Sequence, residues 1–229
     1  EAYIVLFSNT KVDIVDVTDP TNVADSITSC PWTTAMIGEL KVAQSGDTMI
    51  VVHPDMAMQK LTRTAVDTFS REAFSFDTSN NFTHQPYHRF AAPSITLQPQ
   101  NTSTSNQTIT ASDDLFSSDW VGEEIEFTDS NGGIHHVEVI AYLSATTITG
   151  KFDTAPHNSS AVSTWKEQVF STRKGFARTV MFHDQRLIFG GSRDLPNHIF
   201  FSKVAEFFNF DVGTGLDDES IQVQIAENQ

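Results

Sequence analysis

The sequence is poor in cysteine and has no long apolar run. Cys30 is its one cysteine, so an intrachain disulfide cannot form and a disulfide-stapled secreted module is excluded. We interpret Cys30 as a small buried apolar residue. Because no run of about 18 apolar residues occurs, we expect no membrane-spanning helix, and no signal-peptide pattern opens the sequence.

Positive charge is also scarce. The 14 Lys and Arg residues face 29 Asp and Glu residues, which gives a formal net charge of −15. No Lys or Arg lies between Arg89 and Lys151. That stretch holds eight carboxylates: Asp113, Asp114, Asp119, Glu123, Glu124, Glu126, Asp129 and Glu138. A chain with this balance repels nucleic-acid phosphates and does not hold them tightly.

Strand signals dominate the sequence, and helical periodicity is weak. Apolar alternation and β-branched or aromatic runs predict an all-β fold. The clearest predicted strands are 48–52, 94–97, 107–110, 124–127, 135–141, 146–152, 179–182 and 186–189. Single helical turns are predicted near residues 113–120 and 202–208. With 39% hydrophobic residues and 18 Phe, the chain can build a packed core.

A β-hairpin unit recurs along the chain. Residues 46–54 and 183–191 each contain an acidic turn, β-prone residues and a Gly or Pro break, and a second short strand follows at 60–63 or 199–203. A looser copy opens the chain at residues 3–17. Without an insert of about 80 residues, the copies lie near the repeat of about 40–50 residues of a propeller blade. We therefore predict partial β-propeller-like hairpin repeats, with a two-sheet sandwich as the alternative.

An inserted module is predicted at residues 91–170. Pro93 and the polar stretch 98–107 precede it, and the polar loop 156–160 lies near its end. Asn131-Gly132 predicts a tight two-residue hairpin turn, and the strands around it predict a small SH3-like β-barrel. The predicted domains are 1–90, 91–170 and 171–229. Because both ends of the sequence look like strands and there is no initial Met, we expect a fragment of a longer protein.

The sequence predicts no catalytic, cofactor-binding or metal-binding residues. Pro86 argues against a helical ligand pair of His84 and His88, and on a strand His135 and His136 face opposite sides. The basic residues of the stretch 166–203 are expected to pair with the carboxylates of the chain or with neighbouring subunits. Whether the acidic loops 113–126 or 211–219 bind a divalent cation is left open, and we interpret both as solvated loops.

Two segments carry a family resemblance. Residues 47–63 and 176–191 resemble segments of the tail nozzle, or tail tubular protein B, type of structural protein in short-tailed bacteriophages, and residues 199–203 and 207–210 continue the similarity. The resemblance implies a virion tail protein, assembled in the host cytoplasm, that forms a hexameric tube with portal, adaptor and tail-fibre proteins. It implies passive passage of DNA, no enzyme activity and no cofactor.

Two other functions are compatible with the sequence. A receptor- or glycan-binding β module would place exposed aromatic residues such as Trp32, Trp120 or Trp165 in a shallow site. A hydrolase would use carboxylates of the loop 113–126, since glycoside hydrolysis needs a pair of carboxyl groups. A virion structural protein is the leading hypothesis, because the repeated hairpins indicate a structural scaffold and do not point to a particular reaction.

Overall fold

The computed structural model describes residues 2–79 and 82–225 and is all-β, which confirms the predicted class. Two single-turn 3-10 helices, Ile37–Glu39 and Ser118–Trp120, are the only helices in this part of the chain. The strands, in chain order, are β1 Tyr3–Ser8, β2 Lys11–Asp16, β3 Val23–Thr28, β4 Lys41–Ser45, β5 Thr48–His53, β6 Met56–Ala65, β7 Thr68–Ala73, β8 Thr78–Ser79, β9 Phe82–Thr83, β10 Tyr87–His88, β11 Leu97–Pro99, β12 Gln107–Ala111, β13 Glu124–Thr128, β14 Ile134–Ser144, β15 Thr147–Phe152, β16 Trp165–Gln168, β17 Thr179–His183, β18 Arg186–Gly190, β19 His198–Phe201 and β20 Ile221–Gln224. None of the described helices has the length and apolar character needed to cross a membrane.

The chain divides into two compact units. The first unit combines Glu1–Phe76 with Lys174–Gln229, and the second is Asp77–Arg173. The predicted insert 91–170 lies inside the second unit.

The first unit consists of antiparallel meanders, in which consecutive strands are neighbours. Strands β1 to β3 form a three-stranded sheet, β4 to β7 a four-stranded sheet, and β17 to β20 another four-stranded sheet. The repeated hairpins of the sequence fall on β1–β2, on β5–β6 and on β18–β19. The four-stranded sheets share one strand order.

The turns of the first unit follow from local backbone chemistry. Asp184 and Gln185 form the two-residue turn between β17 and β18, and both have positive φ, 45° and 60°. That conformation matches the right-handed twist of a hairpin. The second strand of this hairpin was predicted at 60–63, but β6 already begins at Met56, so the connection from β5 is a turn at Pro54 and Asp55.

A buried cluster fills the first unit between its first two sheets. Val12, Trp32 and Val51 are fully buried there, with Met56 and Leu61 beside them. The Trp32 indole N–H donates to two backbone carbonyls, so its polar atom is satisfied. Cys30 is buried in the same cluster, as predicted.

The second unit contains one seven-stranded antiparallel sheet in the order β10-β16-β13-β14-β15-β12-β11 and a two-stranded ribbon, β8–β9. The sheet does not close into a barrel. An isolated bridge joins Leu97 to Val162, so the β11 end of the sheet meets the segment that leads into β16. The core on one side includes Ile125, Phe127, Ile148 and Phe152.

Three local predictions are wrong. The predicted strand 94–97 contributes only Leu97, because Ile95 N–H donates to Ala92 O in a preceding turn. The predicted helical turn at 202–208 is replaced by turns and an isolated bridge between Lys203 and Glu206. The predicted two-residue turn at Asn131-Gly132 is a five-residue loop, residues 129–133, since Thr128 pairs with Ile134.

Candidate functional site

The loop 129–133 is organised by the carboxylate of Asp129. Asp129 Oδ1 accepts hydrogen bonds from Asn131 N–H and Gly133 N–H, each at 2.9 Å. Only 1% of the Asp129 side chain is exposed. Backbone hydrogen bonds of the loop therefore hold Oδ1 of this buried carboxylate in place, and Oδ2 contacts residues outside the loop.

Two imidazole rings meet this second oxygen. His135 Nε2, from β14, lies 3.1 Å from Asp129 Oδ2, and His157 Nδ1, from the loop between β15 and β16, lies 2.6 Å from it. His157 N–H donates to the same oxygen at 2.9 Å. Within residues 2–79 and 82–225, this is the one group of three His, Cys, Asp or Glu side chains whose ligand atoms lie within 4.8 Å of one another.

The environment favours the ionised form of Asp129. Burial opposes ionisation, but hydrogen bonds from His157, His135 and Gly133 outweigh it and hold the pKa of the carboxyl well below its usual range. The site is therefore a fixed negative charge beside two imidazoles, one buried and one 59% exposed.

A threonine contacts the far side of His135. Thr154 Oγ1 lies 2.8 Å from His135 Nδ1 and donates to Asp153 Oδ1 at 3.2 Å. The chain of hydroxyl, imidazole and carboxylate resembles a nucleophile relay. However, the same hydroxyl lies within donating distance of Asp153, a carboxylate that can only accept, so the geometry does not single out His135 as the group that removes its proton. The arrangement favours orientation of the ring over nucleophilic catalysis.

A second buried charge cluster lies elsewhere in the same unit. Arg173 Nη2 is 2.6 Å from Glu123 Oε2 and 2.8 Å from Glu167 Oε2. The guanidinium also lies 3.8 Å from the centre of the Trp120 ring. Because both carboxylates contact the same guanidinium, this cluster stabilises the packing of β16 against the segment before β13.

The acidic loops singled out in the sequence are arranged differently. Asp113, Asp114 and Asp119 are exposed, and Asp113 Oδ1 accepts the N–H of Asp114. In the loop 211–219, Glu219 Oε2 accepts the N–H groups of Thr214 and Leu216. These backbone hydrogen bonds lower the pKa of Glu219.

Glu124 and Glu126, further along the segment 113–126, are held by hydrogen bonds or an ion pair. Glu124 Oε2 accepts hydrogen bonds from Tyr87 Oη at 2.8 Å and Gln85 Nε2 at 2.9 Å. Glu126 pairs with Lys166 at 2.6 Å. The expected pairing of basic residues from 166–203 with carboxylates is thus seen for Lys166, and also for Arg173.

His135 and His136 are consecutive residues of β14, and side chains alternate between the faces of a strand. The two rings have different partners: His135 contacts Asp129, while His136 Nδ1 lies 3.3 Å from Asp153 Oδ2. The His84 ring contacts Ser79 Oγ at 2.6 Å.

All three tryptophans are buried, contrary to the exposed positions expected for a glycan-binding module. Trp32, Trp120 and Trp165 are at most 2% exposed. Their indole rings fill the cores of the units, and the Trp165 N–H donates to Ile95 O. A shallow aromatic site therefore cannot be built from these three residues.

The first unit contains a cavity of about 340 Å³ between β1–β2 and β5–β6. Its apolar wall includes Ile14, Leu61 and Phe69. At its rim, Arg63 Nη2 pairs with Asp47 Oδ1 at 2.7 Å. The volume falls in the range of small-ligand sites, but its charged groups already neutralise each other.

Sequence reasoning missed the cluster of Asp129, His135 and His157. Asp129 and His135 are six residues apart, but His157 follows 28 residues after Asp129, and no short motif links the three. The available signal was the Asp-x-Asn-Gly-Gly pattern of 129–133, in which an Asp side chain often accepts backbone N–H groups. That signal places the carboxylate, but it does not predict that His157 approaches.

No protein-family model and no curated protein sequence matches this chain. The fold and the site geometry are therefore the basis for the functional proposals.

Proposed function

We propose that this chain is a structural protein of a bacteriophage tail, part of the nozzle or hub that surrounds the path of ejected DNA. The observation that carries the proposal is the pair of four-stranded meanders, β4 to β7 and β17 to β20. Both have the same strand order and an acidic turn between their first two strands. They coincide with the two segments, 47–63 and 176–191, that resemble tail nozzle proteins.

In this proposal the meanders are blades of a propeller-like assembly, and the second unit is an inserted module that corresponds to the predicted SH3-like barrel, with a sheet that is open and not closed. Four-stranded meanders are the building blocks of propellers. The bridge between Leu97 and Val162, which joins the β11 end of the seven-stranded sheet to the segment that leads into β16, supports a barrel-like curvature. The second unit also interrupts the chain between two meanders, as an insert would.

The charge of the chain supports passive DNA passage. A net charge of −15 works against tight phosphate contacts, and each such contact would slow a moving duplex. Asp113, Asp114 and Asp119 lie exposed on the second unit, where they add to a negative surface. The protein would then guide DNA by repulsion and shape.

Exposed apolar residues on edge strands support assembly with other subunits. Ile4 and Leu6 on β1 are 45% and 50% exposed, and Ile221 and Val223 on β20 are 40% and 43% exposed. Both strands lie at the edge of their sheets among the described residues. Edge strands with apolar side chains favour pairing with another chain, here a second copy or a portal, adaptor or tail-fibre protein.

Electron microscopy tests the assembly. The purified protein, alone and mixed with the portal and adaptor proteins of the same virus, is expected to form rings or tubes. Substitution of Ile4 and Leu6 by Lys is expected to reduce them, while Lys at Leu143, which is 56% exposed and belongs to the second unit, serves as the control. Monomers under all conditions would contradict the proposal.

A DNA retention assay tests the role of charge. At about 50 mM salt, where phosphate contacts are strongest, we expect no retention of duplex DNA by the wild-type protein. Lys at positions 113, 114 and 119 should introduce retention, and Asn at the same positions should give a smaller effect. Tight binding by the wild-type protein would contradict a passive conduit.

A further inference from the structure

The two ring nitrogens of His135 have different neighbours. Nδ1 lies 2.8 Å from Thr154 Oγ1, whose hydroxyl also lies 3.2 Å from Asp153 Oδ1. Nε2 lies 3.1 Å from Asp129 Oδ2. When Nδ1 carries the ring proton and donates it to Thr154, Nε2 presents a lone pair to the carboxylate. A positive charge, either a proton or a metal ion, is then needed between these two buried atoms.

The loop leaves room around the same atoms. A Cβ atom at Gly133 would come within 3.0 Å of His135 Nε2 and of His157 Nδ1. Any side chain at position 133 would therefore crowd both nitrogens. Glycine keeps this space open, next to a carboxylate whose Oδ1 is already fixed by the backbone.

The distances are close to those of a tetrahedral metal site. Zinc bonds of about 2.0–2.1 Å place neighbouring ligand atoms about 3.3 Å apart. The separation of Asp129 Oδ2 from His135 Nε2, 3.1 Å, is already near this value. The separation from His157 Nδ1, 2.6 Å, must lengthen by about 0.7 Å. The His157 ring is 59% exposed, so it is free to move outward.

We propose that Asp129 Oδ2, His135 Nε2 and His157 Nδ1 bind one Zn²⁺ ion, with water from the exposed side of His157 as the fourth ligand. Two imidazoles and one carboxylate are a typical zinc ligand set, whereas Mg²⁺ and Ca²⁺ take oxygen ligands. Thr154 is a positioning residue that orients His135. The ion ties the loop after β15 to the β13–β14 hairpin, which goes beyond the proposed tail function and does not depend on it.

Calorimetry with ZnCl₂ tests the site in the untagged, chelator-treated full chain. We expect about one Zn²⁺ per chain and no comparable binding of MgCl₂. Binding of Co²⁺ should give the intense visible bands of tetrahedral coordination. His157→Gln, a change at an exposed ring, is expected to weaken zinc binding by about 100-fold, and Thr154→Val by about 10-fold.

His183→Gln is the matched control, because His183 also lies beside an aspartate, Asp184, but on an exposed turn. It should leave zinc affinity unchanged. No zinc binding by the wild-type chain would overturn the proposal and assign the cluster as a hydrogen-bonded ion pair. Equal zinc affinity of wild type and His157→Gln would also overturn it.

Discussion

Histidine and aspartate meet in two regions of this protein, and the two regions differ in burial. Around the β13–β14 hairpin, Asp129 contacts His135 and His157, and Asp153 contacts His136. At the β17–β18 turn, His183 Nε2 lies 3.1 Å from Asp184 Oδ2. The Asp129 side chain is 1% exposed and that of Asp184 is 85% exposed.

The comparison shows that burial and backbone contacts decide what such a pair contributes. Exposed ion pairs contribute little, because water competes for both charges. A buried carboxylate must be fully hydrogen-bonded, and Asp129 meets this need with three backbone N–H groups as well as two imidazoles. The loop 129–133 therefore depends on its aspartate, whereas the turn at 184–185 depends on its backbone conformation.

The largest expected effect comes from replacing the central carboxylates. Asp129→Asn should lower the free energy of unfolding by about 2–4 kcal/mol. Its amide N–H₂ would replace Oδ2 and would face the N–H groups whose hydrogen bonds Oδ2 now accepts. Asp184→Asn should change it by less than about 0.5 kcal/mol. Urea denaturation with a chelator present measures both. Equal losses of stability in Asp129→Asn and Asp184→Asn would contradict the role assigned to burial.

The next effect concerns acid stability. Burial opposes ionisation of Asp153, but hydrogen bonds from His136 and Thr154 outweigh it and lower the pKa of the carboxyl. A lowered folded-state pKa contributes stability above the ordinary carboxyl pKa of about 3.9, and this stability is lost as the pH falls below about 4. Asp153→Asn should therefore destabilise the protein by about 1–2 kcal/mol at neutral pH and flatten the acid slope.

Denaturation midpoints between pH 6 and about pH 2 give this slope. Thr154→Ala keeps its backbone N–H bond to Asp153 and loses the hydroxyl bond to Asp153, together with the hydroxyl contact to His135. Its slope should therefore lie between those of wild type and Asp153→Asn. An unchanged slope in Asp153→Asn would contradict the assignment.

The sequence was sufficient for the elements that depend on local patterns. Alternation predicted β12, β13 and β17 to within about two residues, because each of these strands buries, wholly or in part, one set of alternate residues. The strand β5 has four consecutive buried residues, and its run of apolar and β-branched residues predicted it. The repeat of the hairpins was also visible, since the turn residues mark it. The strand β7 was missed because Thr68–Ala73 has polar residues at most positions and packs along β6.

The site could not be predicted from the sequence, because it forms only where the loop 129–133, β14 and the loop after β15 come together. Asn131-Gly132 has the composition of a two-residue turn, but only Gly132 adopts positive φ. The Asp129 carboxylate, by accepting the N–H groups of Asn131 and Gly133, favours the longer loop. The approach of His157 depends on the path of the loop after β15, which no local pattern specifies.

A smaller loss of stability is expected at each of the two glycines of this loop, with a different cause at each. Gly132→Ala should cost about 1 kcal/mol, because φ is +86° although the space is open. Gly133→Ala should cost a similar amount through contact with His135 and His157. NMR separates the causes: imidazole signals of His135 should shift in Gly133→Ala and stay in place in Gly132→Ala. Shifts of equal size would contradict the crowding argument.

The smallest effect should be found at the exposed turn. Gln185 has φ of 60° without being glycine, so Gln185→Gly should raise the free energy of unfolding by about 0.5 kcal/mol, since relief of backbone strain exceeds the added freedom of the unfolded chain. His183→Gln, which removes only the exposed contact to Asp184, should leave stability within about 0.5 kcal/mol of wild type. A loss in His183→Gln as large as that in Asp129→Asn would show that exposure does not distinguish the two pairs, because the same residue types would then contribute equally with and without burial.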